Sequence, residues 1–201
     1  MVARKNLKKK FALISVYNKN KLSYLCSNLI RNNYGIISTG STGKKIRSLG
    51  FNCIDVSKIT KFKEIFDGRI KTLNPLIYAS LLYIRGNKEH KKQFSSLKVP
   101  EISIVVVNLY PFQKYTKGYK SDQVIEMIDI GGPSLLRAAS KNFEFITPIV
   151  STEDYSRLIK NINKNNGETD IIFRKKMAYK VFKEVSNYDK NISKWLNEIT
   201  K

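Results

Sequence analysis

A short run of β-branched apolar residues that stops at a proline is the feature that most restricts the fold of this chain. Residues 102–107 read ISIVVV, which is typical of a strand buried on both faces of a parallel sheet. Pro111 has no amide hydrogen to give to a sheet, so this strand should end near Tyr110. Because ligands of open α/β sheets bind beyond the carboxyl ends of the strands, Tyr110 is predicted to lie where a ligand binds.

A second signal follows soon after in the sequence. Asp129 precedes Gly131, Gly132 and Pro133, and the apolar residues after them recur at helical spacing. This pattern predicts a helix start with proline in its first turn, and the free N–H groups of such a start favour an anion or an oxyanion. Asp129 is expected at the mouth of the helix, and Lys141 further along it.

Four other short apolar runs alternate with helical patterns, and they lie at residues 11–16, 36–37, 53–56 and 146–150. Such alternation indicates βαβ units. We therefore predict an α/β fold: one domain, a mainly parallel sheet, and helices on both faces. The amphipathic pattern over residues 178–196 adds a long C-terminal helical segment, either one helix or a pair.

No repeat or low-complexity linker divides the chain, so residues 10–201 are predicted to form a single domain behind a basic arm at residues 1–9. No apolar run approaches membrane-spanning length, and we expect a cytoplasmic protein with no membrane partner. The two cysteines lack metal-site spacing and His90 is the sole histidine, which argues against a Cys/His metal cluster.

The chain contains 37 Lys and Arg residues against 16 Asp and Glu residues, a net charge of +21. Such a surplus is typical of nucleic-acid binding, but an A/T-rich genome would also enrich any protein in lysine. The lysines are dispersed and no aromatic-basic motif of an RNA-binding module is present. Specific nucleic-acid binding is therefore not favoured.

Two loops carry residues suited to a ligand. The loop at residues 38–44, STGSTGK, enters a helix, and its hydroxyl and N–H groups suit a phosphate. It matches neither the dinucleotide-binding glycine spacing nor the full phosphate-loop pattern, so phosphate binding and a plain helix cap both stay open. The segment at 58–75 contains DGRIKT, a turn signal with two cations, and is predicted to be a functional loop.

Several motifs together resemble one enzyme family. FALISV, IISTGSTGK, DGRIKTLNP, VVVNLYPF and IDIGGPSLLRAASKN occur in the order found in the IMP cyclohydrolase domain of the bifunctional purine-biosynthesis enzyme that also carries AICAR transformylase. The resemblance covers about residues 10–196. It implies a methylglyoxal synthase-like fold, a homodimer, and ring closure of 5-formamidoimidazole-4-carboxamide ribotide (FAICAR) to IMP and water. No metal or cofactor is implied. The transformylase has no counterpart in this sequence, so we expect it either on a separate protein or on another part of a longer or split protein.

The resemblance also assigns residues to the site. The catalytic candidates are Lys71, Tyr110, Asp129 and Lys141. Lys141 and Asp129 would activate and protonate the reacting groups, and Lys71 and Tyr110 would orient the substrate. The glycine pair would stabilise the formyl oxygen. The substrate-binding candidates, several of them around the phosphate, are Ser15, Lys19, Thr39, Gly40, Thr42, Arg69, Thr72, Asn108, Phe112, Gly131 and Gly132.

The chain departs from this family where histidines are common, with Asn74, Tyr78 and Phe143 in their place, and Ser41 replaces a usual glycine. Two alternatives remain. A methylglyoxal synthase-like lyase would need a placed histidine and aspartate, and His90 lies in a polar, helix-like segment. A basic nucleic-acid-binding or regulatory ligand domain on the same fold is the other alternative.

Overall fold

The computed structural model describes residues 10–66, 70–116 and 118–200. Its centre is a five-stranded sheet in the order β3-β2-β1-β4-β5, with every neighbouring pair parallel. This arrangement confirms the predicted α/β class and the parallel sheet. The strands are β1 (Lys10–Val16), β2 (Tyr34–Ser38), β3 (Ile54–Asp55), β4 (Ile102–Asn108) and β5 (Thr147–Ile149).

Helices connect the strands and cover both faces of the sheet. A single long helix closes the described part of the chain, which resolves the choice between one helix and a pair. None of the helices in the described ranges is long and apolar enough to cross a membrane. The helices are α1 (Leu22–Arg31), α2 (Gly40–Ser48), α3 (Val56–Thr60), α4 (Pro75–Leu82), α5 (Lys88–Leu97), α6 (Ser121–Ile125), α7 (Gly131–Lys141), α8 (Tyr155–Lys164) and α9 (Ile171–Ile199).

Each face of the sheet has its own apolar core. Alternate residues of a strand point to opposite faces, so Ile14 and Leu13 of β1 belong to different cores although both are fully buried. Ile14 packs with residues of α1 and α8, and Leu13 packs with residues of α4, α7 and α9. Burial on both sides explains why β1 and β4 are nearly continuous apolar runs.

The third strand is shorter than the sequence predicted. Residues 53–56 were expected to be extended, but only Ile54 and Asp55 pair with β2. The Asp55 carboxylate accepts the N–H of Ser57 and caps α3, which takes Val56 into the helix. The predicted basic arm at residues 1–9 lies outside the described residues.

Candidate active site

The strand order places a cleft between β1 and β4. The chain runs from β1 to β2 and β3 on one side, then crosses to β4 and β5 on the other. Connections therefore leave β1 and β4 in opposite directions, and their carboxyl ends border a crevice, the usual ligand position in such sheets. A cavity of about 460 Å³ opens there, within the size range of small-molecule sites. Most of the predicted residues line it: Ser15, Lys19, Thr39, Thr42, Lys71, Thr72, Asn108, Tyr110, Asp129, Gly131 and Gly132.

One end of the cavity is built by the tip of β1 and the start of α2. Ser15, Lys19 and Thr39 face it, and Thr39 is the extended residue before the first helical turn. Gly40 has φ +47°, a left-handed conformation that favours glycine. A Cβ at Gly40 would stand 3.7 Å from Lys71 Nζ, so Gly40 lies beside the cavity. Hydroxyls, an ammonium and helix N–H groups together can bind a phosphate here.

Thr42 lines the cavity, and its hydroxyl is bonded to the backbone of β1. Its buried hydroxyl accepts the N–H of Val16 at 3.0 Å and donates to the carbonyl oxygen of Val16 at 2.9 Å. A hydroxyl has one proton, and a phosphate oxygen needs a donor. In this arrangement Thr42 fastens α2 to the end of β1 and has no proton left for a phosphate.

Asn108 also forms a brace at the cavity wall. Its side-chain amide pairs with the backbone of Asn18, accepting the N–H at 2.8 Å and donating to the carbonyl oxygen at 3.1 Å. These two bonds join the end of β4 to the loop after β1. The loop carries Lys19, so Asn108 fixes the position of a cavity residue.

At the other end of the cavity, the start of α7 holds a carboxylate. Asp129 Oδ1 accepts the N–H of Gly132 at 2.8 Å. Burial raises the pKa of the Asp129 carboxyl, while the N–H groups of Gly132 and Gly131 and the charge of Lys71 oppose that rise. A Cβ at Gly132 would lie 2.3 Å from Asp129 Oδ2, so glycine is required for this contact. The predicted anion site at the glycine pair therefore holds the chain's own aspartate.

Tyr110 stands beside Asp129 at the mouth of the cavity. Its ring centroid is 4.9 Å from that of Tyr17, and the Tyr17 hydroxyl is 2.6 Å from the hydroxyl of Tyr115. Burial, followed by the nearby Asp129 charge and Tyr17, raises the pKa of the Tyr110 phenol. The phenol is therefore protonated at neutral pH and can donate a hydrogen bond to a substrate oxygen.

Among the described residues, Lys141 and Phe112 do not line the cavity. Lys141 is exposed at the far end of α7, and this helix of 11 residues separates it from Gly131 by about 15 Å. Phe112 is buried and packs against Tyr188 and Trp195, and its contact with substrate stays a prediction. Arg69 lies outside the described residues.

The structure adds residues that the sequence did not single out as ligands. Tyr17 and Ser41 line the polar side of the cavity, and Ile125, Ile128 and Ile130 contribute an apolar side. Tyr17 follows Ser15 by two positions, and the alternation of a strand could have indicated that both face the same way. The isoleucines lie in a short helix and loop that give no clear periodic signal.

Histidine and metal chemistry find no support in the described residues. His90 belongs to α5, where its Nδ1 accepts the N–H of Ile84, and it does not line the cavity. A lyase that depends on a placed histidine is therefore not favoured. In residues 10–66, 70–116 and 118–200, no three His, Cys, Asp or Glu side chains are grouped to hold a metal ion.

Comparison with known proteins gives consistent matches. The AICARFT/IMPCHase bienzyme family model matches residues 139–201. The bifunctional purine biosynthesis protein PurH of Clostridium botulinum strain Hall is 45% identical over 190 residues, and that of Ruminiclostridium cellulolyticum is 44% identical over 191 residues. Each alignment covers 94% of this chain but only 38% and 37% of the relatives.

A solved structure shows the same fold. The crystal structure of ForH superposes with a TM-score of 0.86 at 24% identity, covering 94% of this chain and 97% of that one. The MGS-like domain family model matches residues 21–134. This range includes β2, β3, β4 and the start of α7, whereas β1 and the cavity residues Ser15 and Lys19 precede it. By this match the chain belongs to the MGS-like domain family.

Proposed function

We propose that this chain is an IMP cyclohydrolase, which closes the ring of FAICAR to give IMP and water. The observation that carries the proposal is the cavity itself. Its β1 and α2 end presents Ser15, Lys19 and Thr39 to a phosphate, and its opposite end presents Tyr110 and Asp129. A ribotide has the same two-ended character, with a dianionic phosphate at one end and a polar heterocycle at the other.

The relatives support this choice of substrate. They are bifunctional purine biosynthesis proteins, and the C-terminal match is to a family named for both transformylase and cyclohydrolase activities. The chain spans about two fifths of the length of these relatives. The aligned part of this chain contains the whole cavity. We therefore infer that this chain corresponds to the cyclohydrolase part of the bifunctional relatives.

The reaction requires a proton acceptor and a proton donor around a poor nucleophile. The carboxamide nitrogen attacks the formyl carbon, a C–N bond forms, and the formyl oxygen becomes anionic. The C–O bond then breaks, and the departing water takes both its protons from the two substrate nitrogens. Folding the substrate so that nitrogen and carbon meet supplies a large part of the rate, and positioned acid and base groups supply the rest.

The cavity residues divide these tasks. Asp129, with its raised pKa, accepts the proton from the carboxamide nitrogen. Asp129 then passes this proton to the formyl oxygen. Lys71, which interacts electrostatically with Asp129, stabilises that oxygen and gives it the second proton, and Lys71 regains a proton from the formamido nitrogen as the C–O bond breaks and the ring C=N bond forms. Tyr110 donates a hydrogen bond that holds the heterocycle. The glycine N–H groups act mainly on Asp129, since Gly132 already donates to it.

Lys141 stays a motif-based prediction. It lies at the far end of α7 from the cavity, and a single chain gives it no route to the substrate. An unchanged turnover number in Lys141→Ala would remove this residue from the catalytic set.

The resemblance supports three further proposals about the cellular context. We expect the chain to form a homodimer and to receive FAICAR from an AICAR transformylase, whether that activity lies on the same polypeptide or on another. We also place the reaction in the cytoplasm, where purine nucleotides are assembled. Sedimentation of the purified protein tests the first of these proposals.

The decisive experiment mixes the purified chain with FAICAR and follows the appearance of IMP. Lys71→Ala and Asp129→Asn should each lower the turnover number by more than about 100-fold, the scale of losing one acid, base or oxyanion group. Lys176→Ala, on the outer surface of α9, is the matched control for removing a lysine. Wild-type protein that forms no IMP above the uncatalysed rate would refute the proposal.

A further inference from the structure

The long C-terminal helix reaches the segment that carries Asp129. Tyr188 of α9 is only 6% exposed, and its hydroxyl is bonded twice to that segment. It accepts the backbone N–H of Asp129 at 2.7 Å and donates to the carbonyl oxygen of Met127 at 3.1 Å. One hydroxyl therefore satisfies a donor and an acceptor two residues apart in the loop before α7.

We propose that Tyr188 is a positioning residue that holds the backbone of Asp129 so that its carboxylate meets the reacting groups. The proposal rests on the proposed function, in which Asp129 is the proton acceptor. It assigns to α9, which lines no part of the cavity, a direct influence on the chemistry.

The loop has few other means of fixing Asp129. The N–H groups of Met127 and Ile128 bond to the carbonyl oxygens of Val124 and Ile125 at the end of α6, so they hold the loop only to its own preceding turn. The next N–H, that of Asp129, goes to Tyr188 on a different element. After it, the Asp129 side chain itself accepts the N–H of Gly132.

The ring of Tyr188 is anchored independently of its hydroxyl. It packs edge-on to Phe112 with centroids 6.2 Å apart, and Phe112 packs in turn on Trp195 at 5.8 Å. Burial is the main reason that the pKa of the Tyr188 phenol rises to about 12, so the hydroxyl keeps the proton that it donates to Met127. Because ring and hydroxyl have separate partners, a phenylalanine can remove the hydrogen bonds and leave the packing.

Tyr188→Phe is therefore the test. Without the hydroxyl, the backbone groups of Asp129 and Met127 lose their partner and the loop shifts. We expect the turnover number to fall by about 10- to 100-fold, the usual cost of a misplacement near 1 Å. KM for FAICAR should change by less than about threefold, because the phosphate end lies on β1 and α2.

Two variants on the same helix serve as controls. Tyr179→Phe removes the hydroxyl of a tyrosine that is 72% exposed, and it should behave like wild type. Trp195→Phe loosens the cluster around Phe112 but keeps the Tyr188 hydroxyl, so it reports what packing loss alone does to turnover. A turnover number for Tyr188→Phe that is equal to that of Trp195→Phe would overturn the proposal.

Hydrogen exchange separates this inference from the proposed function, because it needs no activity. Faster exchange of the amides at residues 127–132 in Tyr188→Phe than in Trp195→Phe supports the positioning role, and equal exchange overturns it. If wild type forms no IMP, the proposed function fails, and the exchange comparison still decides whether Tyr188 holds the loop.

Discussion

Two threonines at the start of α2 should differ in what the loss of the hydroxyl changes: stability for Thr42 and ligand binding for Thr39. The Thr42 hydroxyl is buried and makes two hydrogen bonds to Val16, whereas Thr39 caps no N–H with its side chain and faces the cavity. Thr42→Val keeps the side-chain shape but leaves the N–H and carbonyl oxygen of Val16 without a partner. Thr39→Val leaves the fold intact and removes a donor to the ligand.

The expected size for Thr42→Val follows from these two bonds. A lost intramolecular hydrogen bond costs about 1 kcal/mol and an unsatisfied buried group about 1–3 kcal/mol, so the free energy of unfolding should fall by about 2–4 kcal/mol. For a chain of this size each kcal/mol shifts Tm by about 2–4 °C. We expect Tm to fall by about 5–15 °C, while Thr39→Val stays within about 2 °C and weakens IMP binding by about 5- to 20-fold.

Differential scanning calorimetry and titration calorimetry with IMP measure these two quantities, and Thr42→Ser, which keeps the hydroxyl, is the control. A Thr42→Val protein that melts with wild type but binds IMP weakly would refute the reasoning. That result would mean that the Thr42 hydroxyl turns to the phosphate when the ligand is present.

Three further predictions follow from the site. Burial raises the pKa of the Asp129 carboxyl in the folded protein, so ionisation of this group opposes folding. Asp129→Asn should therefore be inactive but more stable than wild type at pH 7, and this gain in stability should vanish below the ordinary aspartate pKa. Equal urea midpoints of the two proteins at pH 7 would contradict the prediction. Gly132→Ala puts a Cβ 2.3 Å from the Asp129 carboxylate and should lower turnover by more than about tenfold, whereas Gly86→Ala meets nothing within 4 Å and should not. With a net charge of +21 and an anionic substrate, kcat/KM should fall between 20 and about 300 mM salt while kcat stays constant, and a flat kcat/KM would show that the charge does not guide the substrate.

The sequence was sufficient for the fold class and for the location of the cavity, because both depend on strong local signals. The apolar run that ends at Pro111 located the tip of β4, and Gly131 began α7 as predicted. The functions of single side chains were harder to predict. Thr42 and Phe112 both occur inside family-like motifs, yet one braces β1 and the other packs against α9, and only the three-dimensional partners distinguish bracing or packing from ligand binding.

The same limit explains why Tyr188 was not recognised. Its hydroxyl bonds to residues that lie 59 and 61 positions earlier in the chain. In the sequence it is one apolar position of an amphipathic helix, and helical periodicity does not report what the tip of a side chain contacts. Which loop residues the hydroxyl of Tyr188 meets depends on how α9 packs against the rest of the fold.

The start of α7 reconciles two opposing demands on Asp129. A buried carboxylate is a better base because burial raises its pKa, but the same burial penalises the ionised form that must accept the proton. Three groups lower the pKa of Asp129 again: the N–H groups of Gly132 and Gly131, and the charge of Lys71. These groups restore part of the stabilisation that the ionised carboxylate loses on burial. These donors are glycine amides because a Cβ at Gly132 would occupy the position of the carboxylate oxygen. The glycine pair thus adjusts the pKa of the base in the proposed reaction, and the formyl oxygen is left to Lys71.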